Sequence, residues 1–318
     1  MKSFRDFMEE RVRRYYTSEG PKIGPEGDFF TAPELDRSFG RAIAEFLLPF
    51  LREFERPVLL EIGAGRGLMA RDILEYIREK DGDLFERTTY LICEISESLK
   101  RVQERVLEGL PVFWTEDLVP VEGVILSNEF FDTLPVHVVK EGRELYISDS
   151  GEEVWVDLRD VRIKEFLRRM GYENLKQRVE VCLDCVELLK RIAESLIRGY
   201  HLLIDYGYTS DEITRFPEGT VLGYKKHKVV DDIYSGRMDL SAQVNFSVLM
   251  EYGKDFGLET VFLQTQREFL TGIPGFLEEL QRLSFDESPE SVERLSRMKT
   301  LLISMGDRFK VLFQRKGL

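Results

Sequence analysis

Pro57-Val58-Leu59-Leu60-Glu61-Ile62-Gly63-Ala64-Gly65-Arg66-Gly67 is the stretch on which the reading of this chain turns. An apolar run broken only by Glu61 meets three glycines at alternate positions, and the helix-like LMARDILEYIREK follows. That order is a buried strand, a tight turn and a helix start, where glycine lets the backbone approach a ligand closely and the first helical amides are unpaired. Outward from it come TTYLICEIS, the helical ESLKRVQERVLEG, the short PVFW and VEGVILSN. The alternation predicts an α/β fold with a doubly wound, Rossmann-like sheet of buried parallel strands.

Beyond Pro135 the pattern changes to strict alternation, VHVVKEGRELYISDSGEEVWVDL, which predicts two or three antiparallel strands joined by EG and SG turns. HLLIDYGY then resumes the buried-strand signature, followed by helical NFSVLMEYGKDFG, strand LETVFLQT, a helical stretch with a cap at SPES, and a last strand FKVLFQRK. We therefore expect a core of residues 57–135 and 200–318, itself interrupted at about 215–243 and 268–305, and an inserted β/helical subdomain at 136–199. Residues 1–56 are expected to form an N-terminal helical extension that covers cofactor and substrate, its helix burying Phe4, Phe7, Met8 and Val12 on one face.

The chain of 318 residues carries 45 Lys+Arg against 58 Asp+Glu, a net charge of −13, which disfavours general capture of nucleic acid or an anionic membrane. No apolar stretch is long enough to span a bilayer, so no membrane insertion is expected. Three cysteines cannot build a disulfide framework; Cys182 and Cys185 lie in a helical pattern without a second pair for zinc, and a reducing, cytoplasmic setting is expected. His137, His201 and His227 lack metal-ligand spacing, and no metal is predicted. His201 reads as structural, and His227 lies in the basic run Lys225 to Lys228.

The chemistry is carried by carboxylates at strand ends. Glu61, two positions before the first glycine, would repel a dinucleotide pyrophosphate and attract an ammonium or sulfonium group. Glu94 ends the next strand, where a carboxylate can accept both hydroxyls of a ribose. Asp117, after the third strand and beside Leu118 and Trp114, is placed to meet an adenine amine. A cationic nucleoside without phosphates fits this set, and S-adenosylmethionine is such a ligand; Gly63, Ala64, Gly65 and Gly67 are its backbone cradle. An NAD-dependent oxidoreductase is the rival that Glu61 opposes on charge grounds.

At this point the sequence resembles the class I S-adenosylmethionine-dependent methyltransferases, and specifically the MidA family, which includes the mitochondrial complex I assembly methyltransferase. The resemblance rests on GDFFTAPE with Phe39-Gly40 (from Gly27), EIGAGRG, SNEFFDTLPV (Ser127 to Val136), LLIDYGY (Leu202 to Tyr208) and GYKKHKVVDDIYSGRMDLSAQVNF (Gly223 to Phe246). The last block departs from the family pattern, with Asn245 in place of Asp, Gln243 where His is common, and no proline before Gly236. The resemblance implies a seven-stranded sheet with an antiparallel last strand, helical and β insertions, and methylation of a protein arginine, with a respiratory complex I subunit as candidate partner and homo-oligomers open. An assembly chaperone that binds the cofactor without turnover, a small-molecule methyltransferase and an RNA methyltransferase are the alternatives.

A guanidinium is cationic at neutral pH, so carboxylates should hold it and localise electron density on the attacking nitrogen. Asn128, Glu129 and Asp132, after the fourth strand, are the expected catalytic and acceptor contacts, at the edge where open α/β sheets bind ligands. Asp205, Tyr206 and His227 are expected around the acceptor. Asp28, Phe29 and Thr31 are expected over the methionine end of the cofactor, with Thr31 and Glu34 forming a capping box and Pro33 in the first helical turn.

Overall fold

The structure is a computed structural model and describes residues 1–17, 31–225, 228–230, 233–234 and 239–318. Its described residues group into two compact units: residues 1–17, Phe131–Lys190 and the described part of Gly207–Tyr252 in one, and residues 31–130, Arg191–Tyr206 and Gly253–Leu318 in the other. The second unit carries the large sheet. Its strands are β1 (Val58–Ile62), β2 (Thr89–Cys93), β3 (Val112–Thr115), β4 (Val121–Asn128), β5 (Leu196–Tyr208), β6 (Glu259–Thr265) and β7 (Phe309–Lys316), in the spatial order β6-β7-β5-β4-β1-β2-β3.

All neighbours from β5 through β3 pair in parallel, whereas β7 runs antiparallel to both β5 and β6. The doubly wound sheet with its antiparallel last strand is therefore as expected. The order reverses between β1 and β4, the switch point outside whose carboxyl ends ligands bind in open α/β sheets. Three helices matter for that edge: α1 (Ser38–Leu51), α2 (Leu68–Lys80) after β1, and α3 (Glu97–Val106) after β2. The apolar stripe Phe39, Ile43, Leu47 and Leu51 of α1 is fully buried in one core with Ile73, Ile77 and Leu74 of α2 and Leu59, Tyr90 and Phe313 of the sheet.

His201 on β5 is wholly buried, its Nδ1 3.0 Å from Gln314 Oε1 on β7, and burial lowers its pKa to about 4. It is the structural residue the sequence suggests. The predicted cap at SPES is present, Ser288 accepting from the Ser291 amide with Pro289 opening helix Pro289–Ile303.

The first unit is built on the alternating segment, whose strands His137–Lys140, Arg143–Ile147 and Glu153–Asp157 form an antiparallel sheet with Lys2–Ser3 and Val179–Val181. The N-terminal helix Phe4–Thr17 buries Phe4, Phe7 and Met8 in a cluster with Val138, Leu145 and Ile147, with Val12 packed against it. In this unit Asp132 sits in the short turn Phe131–Thr133, where burial pushes its carboxyl up to about 7. Asn245 donates to the Tyr172 hydroxyl at 2.8 Å and accepts the Ser247 amide at 3.1 Å.

One expectation changes here. Cys182 and Cys185 are joined by a disulfide at the start of helix Leu183–Ser195. The helical reading stands, but a three-residue spacing at a helix start also brings the two sulfurs together, which the count of three cysteines obscures. Among the described residues no helix is long and apolar enough to cross a membrane.

Candidate functional site: the strand-end crevice

The sheet unit brings the predicted cofactor residues to one edge. Beyond β1 the Gly63 amide donates to the Cys93 carbonyl at 3.2 Å, and beyond β2 the Glu94 amide donates to the Thr115 carbonyl at 2.9 Å, so the turns leave the sheet side by side. Gly63, Gly65 and Gly67 all take positive φ, at 67°, 53° and 82°. At Gly63 the need is also steric: a Cβ there would lie 2.3 Å from Cδ2 of Phe130. Gly67 starts α2 without any side-chain cap on the helix, as expected of a helix start whose amides serve a ligand.

Glu61 is almost fully buried and its Oε2 accepts the Tyr90 hydroxyl at 2.7 Å. Burial raises its pKa to about 7, against the hydrogen bond from Tyr90, which lowers it. A carboxylate so placed has one hydrogen-bond partner among the described residues and a large desolvation cost, which a cationic ligand group would offset. Glu94 is half-buried; Oε1 accepts the Ser96 amide at 2.8 Å and Oε2 accepts from Gln103 at 3.1 Å. Burial raises its pKa too, with those donors opposing. The donor set therefore suits a cationic nucleoside.

Asp117 and Leu118 follow β3, but the Asp117 carboxylate is exposed, ion-paired to Arg191, and accepts the Leu118 amide at 2.7 Å. The expectation that it points at an adenine amine is not met in this state, because Arg191 offers a charged partner at the surface.

At the end of β4, Glu129 has φ 51°, a left-handed conformation that non-glycine residues rarely adopt. Its amide donates to the Ile204 carbonyl at 3.0 Å, and its Oε1 accepts both the Ala32 amide at 2.7 Å and Asn128 Nδ2 at 3.2 Å. Asn128 is buried, and its Oδ1 has no hydrogen-bond partner among the described residues. The expected capping box at Thr31 does not form: Thr31 makes no side-chain cap, the Glu34 amide donates to the Thr31 carbonyl at 3.0 Å, and the Glu34 carboxylate pairs with Arg66 at 2.9 Å. A charged partner at Arg66 outcompetes a cap because Glu34 is itself deeply buried.

Asp205 is not placed to meet an acceptor. It is 1% exposed, and its two oxygens accept the Phe130 amide at 3.1 Å and the Tyr206 amide at 2.8 Å. Its position fixes the backbone that follows Glu129. Tyr206 is half-buried beside it, its ring 5.7 Å from that of Phe309. Asp28, Phe29 and His227 lie outside the described residues. Sequence reasoning missed Tyr90 and Gln103; the signal for each was a polar atom inside an apolar pattern, Tyr90 on the same sheet face as Glu61 and Gln103 on the buried side of α3.

The expected cytoplasmic location is overturned by the relatives. Over 355 aligned residues the chain is 26% identical to the zebrafish (Danio rerio) protein named protein arginine methyltransferase NDUFAF7, mitochondrial, covering 96% of this chain and 80% of that one. The mouse (Mus musculus) protein of that name is 28% identical over 84% of this chain and 68% of its own. Both names place those proteins in mitochondria, so composition and cysteine count do not establish a cytoplasmic protein here. A solved structure from Burkholderia thailandensis bound to S-adenosyl-homocysteine shares 25% identity and superposes with a TM-score of 0.82, covering 99% of this chain and 88% of that one. A family model described as S-adenosyl-L-methionine-dependent methyltransferase matches residues 42–263. With that match over most of its length and the glycine loop and strand-end carboxylates in place, the chain belongs to the S-adenosyl-L-methionine-dependent methyltransferase family.

Proposed function

We propose that this protein transfers a methyl group from S-adenosylmethionine to an arginine side chain of a protein substrate. The observation that carries the reading is the pair of carboxylates at adjacent strand ends, the buried Glu61 and the half-buried Glu94, and its support comes from relatives named protein arginine methyltransferases. When bound, the cofactor supplies a methyl group on a cationic sulfur, with a neutral thioether as leaving group. Gly63, Ala64, Gly65 and Gly67 would hold its backbone-facing side, Glu61 its cationic end, Glu94 its ribose, and Asp117 and Leu118 would flank the adenine, Asp117 by giving up Arg191. Thr31 would lie at the methionine end.

The chain's own task is to hold the acceptor nitrogen in line and to balance charge. Asn128 and Glu129 are the acceptor contacts we propose at the end of β4: the Glu129 carboxylate pairs with the guanidinium, and Asn128 Oδ1 accepts one of its N–H groups. Tyr206 belongs to the same proposal as a further acceptor contact. Asp205 acts as a positioning residue through the Phe130 amide. A respiratory complex I subunit is the acceptor class we propose.

The test incubates the protein with methyl-labelled cofactor and mitochondrial extract and reads labelled arginine by mass spectrometry. Label on arginine in one or a few proteins is expected, and Glu129→Gln should remove it while leaving cofactor binding intact. Tight cofactor binding with no labelled protein would replace the enzyme by a cofactor-binding chaperone.

A further inference from the structure

Gln103 is completely buried on α3, with both of its amide hydrogens and its oxygen hydrogen-bonded. Nε2 donates to the Gly65 carbonyl at 2.8 Å and to Glu94 Oε2 at 3.1 Å, while Oε1 accepts from Trp114 Nε1 at 2.8 Å. The amide orientation is chemically determined: an indole N–H can only donate, so the oxygen faces Trp114 and the nitrogen faces the carbonyl and carboxylate. The three partners belong to three different segments, namely the glycine loop after β1, the end of β2, and β3.

A buried glutamine that served packing alone would be replaced at lower desolvation cost by leucine or methionine. What the amide adds is geometry. The second oxygen of Glu94 is held by the Ser96 amide, so the two donors together fix the plane of the carboxylate. The same Nε2 fixes the carbonyl of the central loop glycine relative to it.

We propose that Gln103 is a positioning residue that sets recognition of the cofactor's ribose, by locking Glu94 and the glycine loop in one register before the ligand arrives. The proposal rests on the cofactor reading above and deepens it. Preorganisation of this kind improves affinity by removing the cost of ordering an acceptor on binding. Its signature is a coupling: loss of Gln103 should matter for the ribose hydroxyl that Glu94 accepts, and not for the remainder of the ligand.

Calorimetry on the full chain with S-adenosyl-homocysteine and its 2′-deoxy analogue gives the test. Wild-type protein is expected to bind the deoxy analogue about 10-fold more weakly. Gln103→Met should weaken S-adenosyl-homocysteine by about 10-fold and discriminate the two ligands by less than about twofold. The isosteric Gln103→Glu, which sets a second carboxyl beside Glu94, should lose the same discrimination. Partial unfolding of a variant reduces the bound fraction of both ligands and leaves their ratio unchanged, so the ratio is the readout. Wild-type discrimination retained in both variants overturns the role of Gln103 alone. A wild-type protein that binds neither ligand removes the cofactor reading and this one with it.

Discussion

The half of the large sheet around β5, β6 and β7 and the half that ends in Glu61 and Glu94 hold together by opposite means. In the first, Phe313 of β7 sits at the centre of an aromatic cluster, with its ring centroid 5.0 Å from Tyr200, 4.9 Å from Phe46 and from Phe50, and 5.4 Å from Phe262. In the second, the strand ends carry carboxylates held by a few hydrogen bonds, Glu61 by Tyr90 and Glu94 by Gln103 and the Ser96 amide. The apolar half stabilises the unit whatever occupies the crevice. The polar half is costly to keep ionised, and its design makes sense only with a ligand to compensate.

The contrast breaks most visibly at Phe313. Phe313→Ala should destabilise the sheet unit by about 3–5 kcal/mol, read by chemical denaturation, and leave cofactor affinity of the folded fraction unaltered. Gly63→Ala comes next. A methyl group at φ 67° against Phe130 adds about 1–2 kcal/mol of backbone strain and about 1–3 kcal/mol of overpacking, so calorimetry should find the cofactor site lost. Combining it with Phe130→Ala should recover the overpacking part only.

The two halves should also respond to pH in opposite directions. His201 has a folded pKa of about 4 against an ordinary 6.5, so the unfolded chain binds its proton first as the solution is acidified. Stability should fall from pH 6.5 down to about 4, by about 3 kcal/mol, and His201→Asn should flatten that limb in thermal melts. Glu61 is raised from 4.5 to about 7, so the folded state holds its proton longer, and its contribution is present below pH 4.5 and lost as pH rises to about 7. Glu61→Gln should therefore raise the melting temperature of ligand-free protein above pH 7 while weakening cofactor by about 10- to 100-fold. A variant that lost stability and kept affinity would place Glu61 with the structural half.

The sheet and the glycine loop were legible because their signals are local. EIGAGRG carries strand, turn and helix start within seven residues, and Glu94 ends an apolar run. What was not legible depends on pairing across the chain. Glu129 takes the Ala32 amide from 97 residues away, which no spacing rule announces, and the capping box that Thr31 and Glu34 advertise is absent because the Glu34 carboxylate goes to Arg66. Asp205 looks like a strand-end ligand until the Phe130 amide, 75 residues earlier, is found on its oxygen. Gln103 reads as one polar residue on an amphipathic helix, and only the fold shows three partners around it. The disulfide between Cys182 and Cys185 likewise required a helix start that brings the two side chains together.

Titration of the wild-type protein with S-adenosylmethionine and, separately, with NAD bears most directly on the account, because the two ligands differ in the charge presented to Glu61. One equivalent of S-adenosylmethionine should bind per chain, with affinity weakened about 10- to 100-fold in Glu61→Gln, and NAD should give no heat of binding. Binding of NAD in preference, or S-adenosylmethionine affinity indifferent to both Glu61 and Glu94, would contradict it.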